Sequence, residues 1–293
     1  MSLFPDSLMK KKINSIAGIT LIEILIGVVI STIMMAAMYT SYNVVNSTYS
    51  QVTDTAKISQ TGRDVVGMII RDVRMAGYKY FNDDIQTDNA KHIPILITKK
   101  DSSNPCDKIE IVFGDIKYDR SVTPIKQKFE RIKITYECKL STIPDKENPL
   151  SGGGYKTLGV TKGIKTVYKS KVKWDVVNNN WISDAASDID SDPETYAPAP
   201  VVEYIEDLIF VPIGPDGQAY DPPPSSTNNP DQLYTIKVVD ILLTVRSKKK
   251  FFRTKKRRVK EALIDDSRKI DKDDYYLRDT IVISAHARNL GFL

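Results

Sequence analysis

Between Pro5 and Pro94 the chain has no proline, and its apolar residues fall into two successive helical patterns. The first, Ile16 to Met38, is a 23-residue run whose only charge is Glu23. At about 1.5 Å per residue it spans roughly 34 Å, enough to cross a bilayer core of about 30 Å. Beyond Met38 the pattern becomes amphipathic. Tyr42, Val45, Tyr49, Val52 and Ala56 recur at spacings of three or four, a stripe expected to pack on the protein's own sheet. Gly62, Val66, Ile69, Ile70 and Val73 form the next apolar face, with Arg63, Asp64, Arg71, Asp72 and Arg74 largely off it. Gly77 supplies a left-handed stop. A continuous helix from Ile19 to Ala76 has 58 residues and a length of about 87 Å.

After Gly77 the period changes from helical to alternating. Ile109, Ile111 and Phe113 share one face, as do Ile132, Ile134 and Tyr136, and later Val239, Ile241, Leu243 and Val245. Further strands are expected at Ile164–Val177, Val201–Val211 and Leu277–Arg288, the last with Ile281, Ile283, Ala285 and Ala287 on one side. One helix followed by many strands predicts an α+β protein, its long N-terminal helix packed against an antiparallel β-sheet. Ser151 to Gly154 reads as a turn. Nine of the fifteen prolines fall between Pro193 and Pro230 and are expected to interrupt the sheet, with Pro222-Pro223-Pro224 on a surface excursion from Gly214 to Gln232.

Composition adds restrictions. The 293 residues are 41% hydrophobic and 27% charged, which excludes a wholly disordered or multi-span protein. Two Cys and two His leave too few ligands for a usual zinc or haem centre, and no cofactor is expected. Net charge is +5, yet Arg246 to Lys260 carries ten Lys/Arg and no acid, so the rest of the chain sums to −5. Lys10, Lys11 and Lys12 precede the apolar run and nothing charged follows it from Tyr39 to Gln51, so the positive-inside bias keeps the amino terminus cytoplasmic and exports the remainder. A plain signal anchor competes with this reading, but Glu23 stands against it. An acid in an apolar span costs about 2.5–3.5 kcal/mol and implies a partner.

Gly18-Ile19-Thr20-Leu21-Ile22-Glu23, behind a basic leader and ahead of an unbroken apolar run, resembles the processing motif of type IV prepilins and of type II secretion pseudopilins. The resemblance implies that a membrane prepilin peptidase cuts the Gly18–Ile19 bond. Cutting creates an α-amino group on Ile19, usually N-methylated in the family. That amine and the Glu23 carboxylate can neutralise each other within one subunit or between stacked neighbours, which makes Glu23 an assembly signal. Arg71 to Tyr78 resembles the helix end of the PilW family of minor pilins, and the likeness extends weakly through Tyr204–Leu208 and Leu277–Val282. Residues 140 to 200 carry none.

The implied organisation is a leader at 1–18, a membrane-spanning half-helix at 19–38, an amphipathic half-helix at 39–77 and an exported β-rich domain at 78–293. Translation from Met9 would shorten the leader to ten residues. The implied role is that of a non-enzymatic minor pilin, PilW-like, in the inner membrane and then in a pilus. Its partners would be other pilins, the prepilin peptidase, the inner-membrane assembly machinery and membrane lipid. A type II secretion pseudopilin, a pilus-displayed DNA- or polyanion-binding subunit and a signal-anchored periplasmic enzyme are the competing readings.

Cys106 and Cys138 lie in the oxidising compartment at opposite ends of a hairpin turning near Val122-Thr123-Pro124, where a disulfide is expected and two free thiols are the alternative. Closing a loop of 32 residues contributes roughly 3–4 kcal/mol on the chain-entropy model. Matching the two apolar faces leaves Cys106 one residue out of register with Cys138, so Cys106 must sit off the ladder. The basic run, with Phe251 and Phe252 inside it, has the content of a DNA or polyanion site, Lys255, Lys256, Arg257 and Arg258 being the candidate contacts. A solvated hairpin loop between strands ending near Val245 and starting near Val259 is the plainer reading. Asp184, Asp188, Asp190, Asp192 and Glu194 match a calcium loop poorly, because Pro193 stands where an EF-hand needs glycine, and no metal site is expected. His286 reads as structural.

Overall fold

The structure is a computed structural model that describes residues 20–78, 92–101, 104–119, 123–183, 195–260, 263–264 and 266–290. Gly18, Ile19 and the acidic residues 184–194 lie outside them. The chain divides into two compact units, Met1–Val52 and Thr53–Leu293.

Helix α1 is Leu21–Met75, without a proline to break it. In the first unit its apolar residues are exposed along their whole length. Several hydroxyls there bond back to the preceding turn, Ser31 to the Gly27 carbonyl at 2.7 Å, Thr32 to Val29 at 2.8 Å and Thr40 to Ala36 at 2.8 Å. Such hydroxyls need no water, so the segment suits a hydrocarbon surrounding. The stripe of Tyr42, Val45, Tyr49 and Val52 belongs to this unit, where Tyr42 is 66% and Tyr49 72% exposed. The compact second unit starts only at Thr53, and the first buried apolar residue of the helix is Ile58.

In the second unit α1 buries Ile58, Gly62, Val65, Val66, Ile69, Asp72 and Val73. Asp72, expected off the apolar face, is therefore on it. The helix stops at Gly77, whose φ is +70° and whose N–H donates to the Val112 carbonyl at 2.9 Å. A side chain at Gly77 would lie 2.5 Å from the Leu290 Cδ2 atom, so this position needs glycine both for its conformation and for the close approach.

The strands are β1 (Ile95–Thr98), β2 (Lys108–Asp119), β3 (Lys126–Leu140), β4 (Pro144–Pro149), β5 (Tyr155–Thr157), β6 (Lys165–Asp175), β7 (Asn180–Ile182), β8 (Tyr196–Ile213), β9 (Val238–Arg246), β10 (Lys256–Lys260), β11 (Ile270–Asp274) and β12 (Arg278–His286). A five-residue helix, α2 (Leu158–Lys162), follows β5. The main sheet is antiparallel in the order β1-β2-β3-β6-β8-β9-β12, with β7 pairing β6. The architecture is thus α+β, a long N-terminal helix with an antiparallel sheet, as the change of period predicts.

The predicted faces pair as expected: Ile109 with Tyr136, Ile111 with Ile134 and Phe113 with Ile132. Together with Leu208, Phe210, Val239, Ile241, Leu243 and Val245 they meet Val66, Ile69 and Val73 of the helix in one core. Gly62 admits the sheet closely, since a Cβ there would lie 2.5 Å from Ile281 Cδ1.

Two further expectations are corrected. The proline-rich stretch does not interrupt the sheet throughout: Pro198, Pro200 and Pro212 lie within β8, an interior strand. Register shifts between β6 and β8 at Val167 to Lys171 accommodate the first two, because a bulged ladder does not require every N–H. The excursion holding Pro222 to Pro224 is irregular, as expected, but only Pro222 is on the surface, Pro223 and Pro224 being buried. The strand at Val259 also does not join the main sheet. It is part of β10, which pairs with β11 in a separate ribbon inserted between β9 and β12.

Candidate functional site

The amino end of α1 is built by its own sequence. Thr20 N–H donates to Glu23 Oε2 at 2.9 Å, Thr20 Oγ1 donates to the same oxygen at 3.0 Å, and Glu23 N–H donates to Thr20 Oγ1 at 3.3 Å. This is a capping box, two otherwise orphaned groups satisfied reciprocally. The Thr20-x-x-Glu23 spacing before an apolar run carries that signature in the sequence, and it gives Glu23 a partner on its own helix turn. Among the described residues Oε1 of Glu23 has no bonding partner, because both Thr20 donors use Oε2.

Cys106 and Cys138 are joined in a disulfide with Cα atoms 5.8 Å apart and both residues buried. Cys106 precedes β2 and lies off the ladder, one residue out of register with Cys138. Next to it, buried Asp107 accepts from Lys100 N–H at 2.9 Å and Phe210 N–H at 3.0 Å. Arg268, from the turn before β11, also bonds Asp107, and grips Asp207 through Nε at 3.0 Å and Nη2 at 2.7 Å. Lys165 Nζ adds a contact to Asp207 at 3.5 Å, and burial pushes its pKa down against the pull of that carboxylate. Leu263 packs beside Ile209, Val211 and Leu242 on the sheet face away from α1. The β10–β11 excursion is thereby strapped back onto the sheet.

The four candidate polyanion contacts lie at the start of this ribbon. Arg257 is held by Asp271 at 2.9 and 2.5 Å, Lys256 stands opposite Asp274 in the ladder, and the Arg258 guanidinium lies 4.3 Å from the Phe252 ring centre. Lys256 lies 5.0 Å over the same ring. Lys255 is exposed. The ribbon thus pairs Arg257 with an acid of β11 and covers the face of Phe252 that base stacking would use. Sequence reading missed this because Asp271, Asp273 and Asp274 lie beyond the basic run.

The helix is fixed to the sheet by a buried polar group. Asp72 Oδ2 accepts the Tyr136 hydroxyl at 2.5 Å and pairs with Lys169 Nζ at 2.7 Å. Burial, then the Asp72 charge, pushes the Tyr136 pKa far up, so the phenol stays protonated and donates. On the small β4–β5 sheet, Asp145 accepts from Thr161 at 2.6 Å, Asn148 at 2.8 Å and Glu147 N–H at 3.1 Å. Burial works against its ionisation, but these bonds and Lys162 outweigh it and hold its pKa at about 2. His286 is exposed on β12. Among the described residues no cluster of His, Cys, Asp or Glu is arranged to hold a metal.

No family model and no curated protein matches the sequence. Among solved structures the chain is similar to the type IV-like pilin TTHA1219 from Thermus thermophilus, with 10% identity and a TM-score of 0.41 over 80% of this chain and 96% of that one.

Proposed function

We propose that the chain is a non-enzymatic, pilin-type filament subunit, similar to PilW minor pilins and processed at the Gly18–Ile19 bond. One observation carries the reading: the first half of α1 is apolar and exposed along its length, and is headed by a carboxylate with one oxygen unused. Before assembly this half-helix sits in the inner membrane with the amino terminus in the cytoplasm. The hydroxyls of Ser31, Thr32 and Thr40 are satisfied within the helix, which lowers the polar cost of that position. After extraction the same surface is buried against the helices of neighbouring subunits in a pilus. The capping box aims Glu23 so that Oε2 stays with Thr20 while Oε1 meets a free α-amine, its own or a neighbour's.

Mass spectrometry of the native protein tests the reading: the mature chain begins at Ile19, and Glu23→Ala removes it from filaments without unfolding its second unit. An intact Gly18–Ile19 bond, or normal incorporation of the Glu23→Ala chain, would exclude it. A type II secretion pseudopilin carries the same kind of motif. Gene deletion separates the two, since a pilin mutant loses pili and a pseudopilin mutant loses secretion.

A further inference from the structure

β9 ends in Arg246. Val245 before it belongs to the core packed on α1, so strand alternation turns Arg246 to the opposite face, where it is only 4% exposed. Arg278 stands directly across from it on β12 and takes up the nearby acids. Its Nε and Nη2 donate to Glu206 at 2.7 and 2.9 Å, and its Nη1 and Nη2 to Asp274 at 2.8 and 2.5 Å. Tyr276 N–H also donates to Asp274, at 3.0 Å, and Lys272 Nζ lies 3.7 Å from Glu206. The Arg246 side chain makes no hydrogen bond or ion pair among the described residues. Its Nε is sealed from solvent without an acceptor, and its guanidinium lies 4.0 Å from the Tyr276 ring centre.

Three cations, Arg246, Arg278 and Lys272, thus face two carboxylates, Glu206 and Asp274, which leaves one positive charge over. Exposed Lys248 adds another, 5.8 Å from the Tyr204 ring centre. Tyr204 itself has φ of +61°, a left-handed conformation that a bulky residue rarely takes and that gathers at ligand sites. It precedes Ile205, which pairs with Val245 beside Arg246. A buried guanidinium with its donor fork unused, a surplus of charge and a strained neighbour meet at one end of the sheet.

We propose that Arg246, with Lys248 and the Tyr276 ring, forms an oxyanion-binding site that takes one carboxylate or phosphate group in bidentate geometry on the Nη1–Nη2 edge of the guanidinium, the edge that is not sealed. The site does not depend on the filament reading.

The full chain in detergent micelles is melted in rising concentrations of inorganic phosphate and, separately, of acetate, each against sodium chloride at matched ionic strength. The melting temperature rises beyond the chloride control and saturates, and the anion with the larger effect distinguishes phosphate from carboxylate recognition. Lys248→Gln moves saturation to higher concentration, and Arg246→Gln abolishes the rise. In the wild-type chain labelled at arginine, the Arg246 Nε–H resonance shifts with the same saturation, a readout that holds even where Arg246→Gln does not fold. No rise over chloride with either anion, a rise unaltered in both variants, or an Arg246 resonance that stays in place would each overturn the proposal.

Discussion

Asp72, on the helix, and Tyr136, on β3, are 64 residues apart and share a hydrogen bond of 2.5 Å inside the core. Lys169 on β6 closes the group at 2.7 Å from the same carboxylate oxygen. Helix and sheet are therefore held by shape and also by one charged contact whose members would each be costly alone.

Tyr136→Phe removes a charge-assisted bond but leaves Asp72 paired with Lys169, and is expected to cost about 1.5–3 kcal/mol. Asp72→Ala strands both partners and costs more, about 3–5 kcal/mol. Urea unfolding of the two variants in micelles checks the order as well as the size. Equal losses would show that Lys169 contributes nothing.

Arg268 joins Asp107, beside the disulfide, to Asp207 on β8. Arg268→Ala leaves two buried carboxylates without their main cation, and a loss of about 3–5 kcal/mol is expected. Because the strap that holds the β10–β11 ribbon is cut, amide hydrogen exchange in 256–274 rises above that of the rest of the sheet. Uniform exchange would mean that the ribbon is held by Leu263 and the Arg278 contacts instead.

Asp145 has its pKa lowered from 3.8 to about 2 in the folded chain. A depressed carboxyl contributes its stabilisation above the unfolded value and loses it as the pH falls through the folded one. The contribution is complete above about pH 4 and disappears toward pH 2. Asp145→Asn flattens the stability profile across that interval while leaving its slope at neutral pH unchanged, as measured by urea midpoints at successive pH values.

At Gly77, Ala must adopt φ of +70° and its methyl must displace Leu290. Gly77→Ala is expected to destabilise by about 1–2 kcal/mol, seen as a lower denaturation midpoint at unchanged m-value. Adding Leu290→Ala to it relieves the crowding and leaves only the conformational part, so the two changes are not additive.

Much of the fold was legible because helical and alternating periods are local properties. The apolar rows around Ile111 and Ile134, the stop at Gly77 and the position of Cys106 off the ladder all follow from spacing along the chain. The capping box of Thr20 and Glu23 was equally legible, since its members are three residues apart. What spacing cannot show is which distant charge will face which. Asp72 looks solvent-facing by helical pattern and is buried because Tyr136 and Lys169 come to it from two strands.

The sequence by itself therefore determined the apolar rod with its single acid and, for the strands around Ile111, Ile134, Ile241 and Ile283, the side that is buried, because those depend on residue order and period alone. Tertiary structure decided that the basic run folds back as a ribbon matched to β11, that Arg268 clasps acids 61 and 161 residues away, and that Arg246 is left with unused donors. Charges are discharged by whatever carboxylate the packed chain brings within bonding distance, and that distance exists only after the sheet and its excursion have closed on each other.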